Sequence, residues 1–149
     1  MKLRLSTDLE APPDEVWEAV QRPSVMQQVA RPLMRIESAD GPFPERWADG
    51  TPYQTRLFLL GVLPVGGQRI QVTRHAEGPA RMLRDDGGGG LAKRWLHVLR
   101  VEPRRGGGTR YTDTVDLSAG VLTPFVWAFT QLLFRYRQAR FRRYLRRAK

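Results

Sequence analysis

Cysteine is missing from the 149 residues, and with it go disulfides, thiolate metal sites and cysteine nucleophiles. Histidine is nearly missing. His75 and His97 are the two in the chain, too few for a metal centre built on several imidazoles. No metal and no cofactor is expected. Lysine is scarce as well: of 25 basic residues 3 are lysine and 22 are arginine. No apolar run is long enough to cross a bilayer. Residues 121–134 form the longest, and Thr123, Pro124, Thr130 and Gln131 interrupt it. The first eight residues hold no apolar leader, so the expectation is a cytoplasmic protein.

What is present fits one folded domain, residues 1–149. At 41% hydrophobic the chain is too apolar for disorder, and at this length it can bury roughly 70% of its unfolded surface. The net charge of +10 is concentrated at one end. Arg135, Arg137, Arg140, Arg142, Arg143, Arg146, Arg147 and Lys149 fall in the last fifteen residues with no acid among them. Such a run is either a solvated helix end, favoured by the helix dipole, or a surface for anionic lipid or nucleic acid. Charge is the sole warrant for nucleic acid, because no recognition motif accompanies it.

Hydrophobic period gives the elements. Residues 2–10 alternate, with Leu3, Leu5, Thr7 and Leu9 on one side, and predict a half-buried strand. Pro12, Pro13, Asp14 and Glu15 then start a short helix carrying Val16, Trp17 and Val20. Pro23 ends it, and Ser24 is placed to cap a second short helix that runs to Ala30. Strands are expected over 33–38, 53–60, 68–75, 80–85, 93–102 and 109–118. A loop is expected over 39–52 and an apolar turn over 61–67. Gly87, Gly88, Gly89 and Gly90 lack the Lys and Ser/Thr of a phosphate loop and read as a hairpin tip. Residues 121–147 predict one long helix with Pro124 in its first turn.

A mostly antiparallel sheet needs cover for its apolar face, and the last helix is the one element long enough to supply it. That helix carries Leu122, Phe125, Val126, Phe129, Leu132, Leu133 and Tyr136 at helical spacing. A second apolar line, Trp127, Phe134, Phe141 and Leu145, lies more than a quarter-turn away. This line either packs on the fold or, among the arginines, meets a membrane surface or a partner.

The order β-αα-ββββββ-α and several strings resemble the helix-grip superfamily of START domains, polyketide cyclases/dehydrases and birch-pollen-allergen-like proteins. Residues 11–20, Ala-Pro-Pro-Asp-Glu-Val-Trp-Glu-Ala-Val, look like that superfamily's start of its first helix. Residues 109–116, Thr-Arg-Tyr-Thr-Asp-Thr-Val-Asp, resemble its last strand, and Phe134-Arg135-Tyr136-Arg137 is similar to a helix segment of some bacterial members. The resemblance implies an α+β fold, a curved antiparallel sheet of six to seven strands wrapped on a long C-terminal helix. It carries no shared catalytic signature, since members include carriers, sensors, cyclases and chaperone cofactors.

Between such a sheet and helix an apolar ligand has room. On the last hairpin the bulkier odd positions should face inward: Trp95, His97, Leu99 and Val101 against Tyr111, Asp113, Val115 and Leu117. The middle strands add Tyr53, Leu57, Leu59, Ile70, Val72 and Met82, and the helix adds Phe125, Phe129 and Leu133. Odd-with-odd register makes His97 and Asp113 direct or diagonal neighbours. They either satisfy each other's polarity or position a proton beside a ligand. Trp17 reads as packing and His75 as a solvent residue.

Three functions compete. The first is a binding protein for a lipid, isoprenoid or polyketide-like compound, used for carriage or sensing. The second is a cyclase/dehydrase-type enzyme in which His97, Asp113 and Tyr53 or Tyr111 handle protons. The third is an interaction module whose arginines, from Arg135 to Arg147, meet an anionic membrane, nucleic acid or an acidic protein.

Overall fold

A computed structural model describes residues 1–147; Lys149 of the basic run lies outside them. Seven strands and three helices follow one another: β1 (Lys2–Leu9), α1 (Pro13–Val20), α2 (Pro23–Ala30), β2 (Met34–Ser38), β3 (Pro52–Leu59), β4 (Leu63–Glu77), β5 (Ala80–Gly88), β6 (Arg94–Pro103), β7 (Thr109–Ser118) and α3 (Thr123–Arg147). The strands form one antiparallel sheet in the order β1-β7-β6-β5-β4-β3-β2. From β2 to β7 it is a meander. β1 then lies beside β7, so α1 and α2 carry the chain from one edge of the sheet to the other. The sheet curves around α3, giving the α+β helix-grip architecture.

Alternation places β1 as expected. Leu3, Thr7 and Leu9 are buried, while Lys2, Arg4, Ser6 and Asp8 are exposed. α2 begins two residues earlier than Ser24 capping requires. Arg22 precedes the helix, Pro23 fills its first turn, and no side chain caps it, because a proline with φ already helical needs no amide partner there.

The apolar turn expected over 61–67 is shorter. Leu63 to Gly67 belong to β4, and the register with β3 shifts between Arg56 and Phe58. The glycine run is likewise not a hairpin tip alone. Gly87 and Gly88 end β5, paired with Trp95 and Arg94. A Cβ at Gly87 would lie 1.9 Å from the Arg69 carbonyl oxygen, and one at Gly90 would lie 1.7 Å from that of Gly67. These glycines let the two backbones approach.

The larger correction concerns α3. Of the stripe expected to face the sheet, Leu122, Phe125 and Leu132 are exposed, Phe125 at 73%. The buried face is Thr130, Leu133, Phe134, Gln138, Phe141 and Leu145: Leu133 of that stripe, three residues of the second apolar line and two polar residues. Phe141 and Leu145, each 4% exposed, join the core with Leu9, Val16, Val101 and Tyr111. They are therefore not rings or chains offered to a membrane. The helix is held in this rotation by polar bonds. The Trp127 indole donates to Lys2 O at 2.9 Å, the Gln138 amide to Leu5 O at 2.9 Å, and the Tyr136 hydroxyl to Arg31 O at 3.0 Å.

Candidate functional site

Between the sheet and the N-terminal half of α3 lies a cavity of about 170 Å³. Each element contributes by its parity. β3 supplies Thr55 and Leu57, β4 Ile70 and Val72, β5 Leu83 and Asp85, β6 Trp95, His97 and Leu99, and α3 Val126, Phe129, Thr130, Leu133, Phe134 and Arg137. Met26, Met34, Ile36 and Trp47 close the side beneath α2. Val65, half-buried, and Leu91, exposed, mark the open end. Apart from Thr55, Gln68, Asp85, His97, Thr130 and Arg137 the wall is hydrophobic.

Eight of the expected contacts stand on this wall: Leu57, Ile70, Val72, Trp95, His97, Leu99, Phe129 and Leu133. Seven do not. Phe125 points to solvent, one helical step beyond the wall. Met82 lies on the outer face, because its neighbours Leu83 and Arg81 pair with the inward Leu99 and Val101; Arg100 reaches its sulfur there. Tyr53 supports the wall from behind, 5.2 Å from the Trp47 ring, its hydroxyl accepting from the Ala48 amide. Leu59 ends β3 beside Met34 and Leu63. Val115 is fully buried with Leu117 and Phe134. Tyr111 and Asp113 line a second, smaller space of about 40 Å³, which shares Val20, Met26, Leu99 and Arg137 with the main cavity.

His97 and Asp113 do meet. Register pairs His97 with Val115 and Leu99 with Asp113, so the two are diagonal neighbours, with Nε2 of His97 2.7 Å from Oδ1 of Asp113. The Tyr111 hydroxyl donates to the same oxygen at 3.2 Å and the Gln138 amide to Oδ2 at 3.0 Å. Burial pushes the Asp113 carboxyl up, but the His97 hydrogen bond and charge, with Arg137 and Gln138, outweigh it and hold it below its ordinary value. Burial and then the neighbouring carboxylate drive the Tyr111 phenol well above its usual range, so it remains a donor. An ionised Asp113 accepts only, hence Nε2 of His97 carries the hydrogen. Nδ1 has no protein partner among the described residues. The sealed side-chain atom without a partner among them is Arg22 Nε, so Nδ1 is not sealed, and His97 lines the cavity.

Sequence alternation missed several members of this site, Asp85, Trp47 and Arg137 among them. Asp85 is the direct cross-strand partner of His97. Its Oδ1 accepts the Gln71 amide at 2.9 Å. Burial pushes its carboxyl up to about 6, against the pull of that amide, the charge of His97 and the Trp95 indole. Its position two residues from Leu83 on a strand was the available signal. Trp47 lies in the Gly/Pro-rich loop, where no period exists to place it. Arg137, read as part of the basic surface, instead turns inward with its guanidinium 4.5 Å above the Phe134 ring. Among the described residues no group of three His, Asp or Glu side chains is placed to hold a metal.

A curved sheet gripping its C-terminal helix over an apolar cavity defines the helix-grip class of START, polyketide cyclase/dehydrase and birch-pollen-allergen-like folds. Within that class the chain belongs to the family described as Domain of unknown function (DUF8410), which matches residues 7–145. Solved structures share the fold. A conserved protein from Geobacillus kaustophilus is 18% identical with a TM-score of 0.68, over 99% of this chain and 97% of that one. The AHSA1-like protein from Aeromonas hydrophila is 18% identical with a TM-score of 0.65, over 99% and 94%. Ara h 8.0201 is 13% identical with a TM-score of 0.65, over 97% and 96%. At these identities the likeness is one of fold. No curated protein matches the chain.

Proposed function

We propose that the chain is a single ligand-binding domain that holds a hydrophobic small molecule, lipid-, isoprenoid- or polyketide-like, for carriage or sensing in the cytoplasm. The observation that carries this reading is the cavity itself: about 170 Å³, walled mostly by aliphatic and aromatic side chains, with few polar groups among them. A dry engineered cavity of about 150 Å³ takes up benzene. The enclosed part here therefore suits one ring or two, or an equivalent branched chain, and a longer tail would leave between Val65, Leu91 and Phe129. Burying roughly 250 Å² of ligand at about 25 cal/mol/Å² contributes about 6 kcal/mol before ordering costs. Ordering costs subtract from this, so a dissociation constant of roughly tens of micromolar is the tightest the enclosed part alone supports.

Titration with small aromatic and isoprenoid probes tests the reading. Binding is expected in the wild type. Leu133→Trp, which fills the cavity from α3, should weaken it at least tenfold while leaving the fold intact by circular dichroism. Equal binding by both proteins would contradict a site in this cavity.

The basic end supports a second, peripheral contact with anionic lipid. Arg137, Arg140 and Arg142 are tied to Phe134, to Tyr136 and Gln28, and to Thr7. Arg135, Arg143, Arg146 and Arg147 remain exposed without an ion pair among the described residues. With Phe141 and Leu145 buried, the contact rests on charge alone and should vanish at high salt.

A further inference from the structure

We propose that the cavity also moves protons: His97 removes the hydrogen beside the carbonyl of a bound apolar ketone, Arg137 receives the carbonyl oxygen, and Asp85 serves as the second proton carrier. The inference rests on the cavity reading above and adds a reaction to it. Three features of the wall carry it.

The first is a base with only one nitrogen to offer. Asp113 takes the Nε2 hydrogen of His97 at 2.7 Å, and it is itself fixed by Tyr111 and Gln138. The ring also packs edge-on against Phe134 at 4.9 Å. His97 is 8% exposed and lines the cavity; its remaining nitrogen, Nδ1, has no partner among the described residues and in the neutral ring is an acceptor. A purely structural His–Asp pair does not require its ring to line a void.

The second is a carboxyl beside it. Asp85 and His97 are direct partners across β5 and β6 on the same face, where such side chains start about 5 Å apart. Oδ1 of Asp85 is engaged by the Gln71 amide, and the Trp95 indole lies close enough to lower the carboxyl by hydrogen bonding. Burial brings this carboxyl to about 6, so both its forms are populated near neutrality, as proton carriage requires.

The third is a cation with nothing to neutralise it at ion-pair distance among the described residues. Arg137 reaches over Phe134 into the same wall. Against an apolar wall a guanidinium stabilises developing negative charge more strongly than in water. The charged or titratable groups facing His97 are thus Asp85 from β5, Asp113 and Tyr111 from β7, and Arg137 from α3.

The step balances within the site. Nδ1 of His97 takes the hydrogen as a proton. The C–H electron pair becomes a C=C bond, and the carbonyl π pair moves to the oxygen facing Arg137, giving an enolate. The proton returns from His97 to the same carbon. In a β,γ-unsaturated ketone, Asp85 gives its proton to the γ carbon and recovers one from His97. No oxidant, reductant or co-reactant enters.

The test uses 2-tetralone in D₂O, followed by NMR on the full chain, with binding measured on the same samples by saturation transfer. Wild type should exchange the hydrogens beside the carbonyl on the order of 100-fold faster than buffer, the usual worth of a positioned base. His97→Gln keeps a donor for Asp113 and hence the buried bond; it should bind the ketone and lose the acceleration. Arg137→Met, at a half-buried position that needs no partner, should also bind and lose on the order of tenfold or more. Binding with exchange at the buffer rate overturns the proposal and leaves the binding reading standing. Acceleration that survives in His97→Gln overturns it as well. A wild type that takes up neither 2-tetralone nor other one- and two-ring ketones overturns both readings together.

Discussion

His97 and Asp113 stand sixteen residues apart and meet at 2.7 Å because β6 and β7 pair in a register that puts both on the concave face. Their partnership makes Asp113 expensive to remove. Asp113→Ala strands Tyr111, His97 and Gln138 in the interior without their acceptor, and a loss of about 3–5 kcal/mol in urea denaturation is expected. Asp85 behaves oppositely. Its carboxyl is raised from 3.8 to about 6, so the folded state holds its proton more tightly than the unfolded chain does. Its contribution is full below about pH 4 and is lost as pH rises through about 6. Asp85→Asn keeps the acceptor for Gln71 and should flatten that fall, leaving the variant more stable than wild type at pH 8 by up to about 3 kcal/mol. A variant less stable at pH 8 would show that the charge is used by the fold. The His–Asp pair was legible because long alternating strands fix parity. Asp85 was not, because Met82 and Leu83 are both apolar neighbours on a short strand. Choosing Met82 as the inward residue turns Asp85 outward.

At the scale of elements, α3 teaches why the more hydrophobic face is not always the inner one. The inward face includes Thr130, Arg137 and Gln138, and Gln138 reaches Asp113 and Leu5. Polar residues that serve a buried carboxylate dilute the apolar signal of their own face. The stripe of Leu122, Phe125 and Leu132 gains contrast by comparison, yet it lies in solvent. The rotation is testable by substitution. Phe141→Ala should cost about 3–5 kcal/mol and Leu145→Ala about 2–5 kcal/mol, while Phe125→Ala should stay within about 0.5 kcal/mol. The reverse ranking would restore the other face. Gly90→Ala has no room beside the Gly67 carbonyl oxygen and should destabilise by about 1–3 kcal/mol. The existence of the strands and the pairing of the last two were readable from period. The start of β4 was not, because Gly66 and Gly67 among apolar residues have the chemistry of a turn.

The arginine-rich end of α3 belongs to the same scale. Sedimentation with phosphatidylserine vesicles at low salt should carry the chain down, and about 0.5 M salt should release it, since the Debye length then falls to about 4 Å. Retention at high salt would mean that apolar groups insert after all.

For the whole molecule, the architecture follows from an antiparallel sheet that needs cover and a single helix long enough to give it. What the sequence leaves undivided is core and cavity, because both use the same residues. Val115 and Leu99 sit on adjacent inward-facing strands; one is sealed at 0% exposure and the other faces the void. Only the volume left between α3 and β3–β6 separates them. The central claim is that this space holds a hydrophobic small molecule. Native mass spectrometry of freshly purified protein, with extraction and identification of what it carries, tests it most directly. The account predicts one defined apolar compound at near one-to-one stoichiometry. A bare chain that also takes up nothing from a panel of fatty acids, isoprenoids and aromatic polyketides would contradict it.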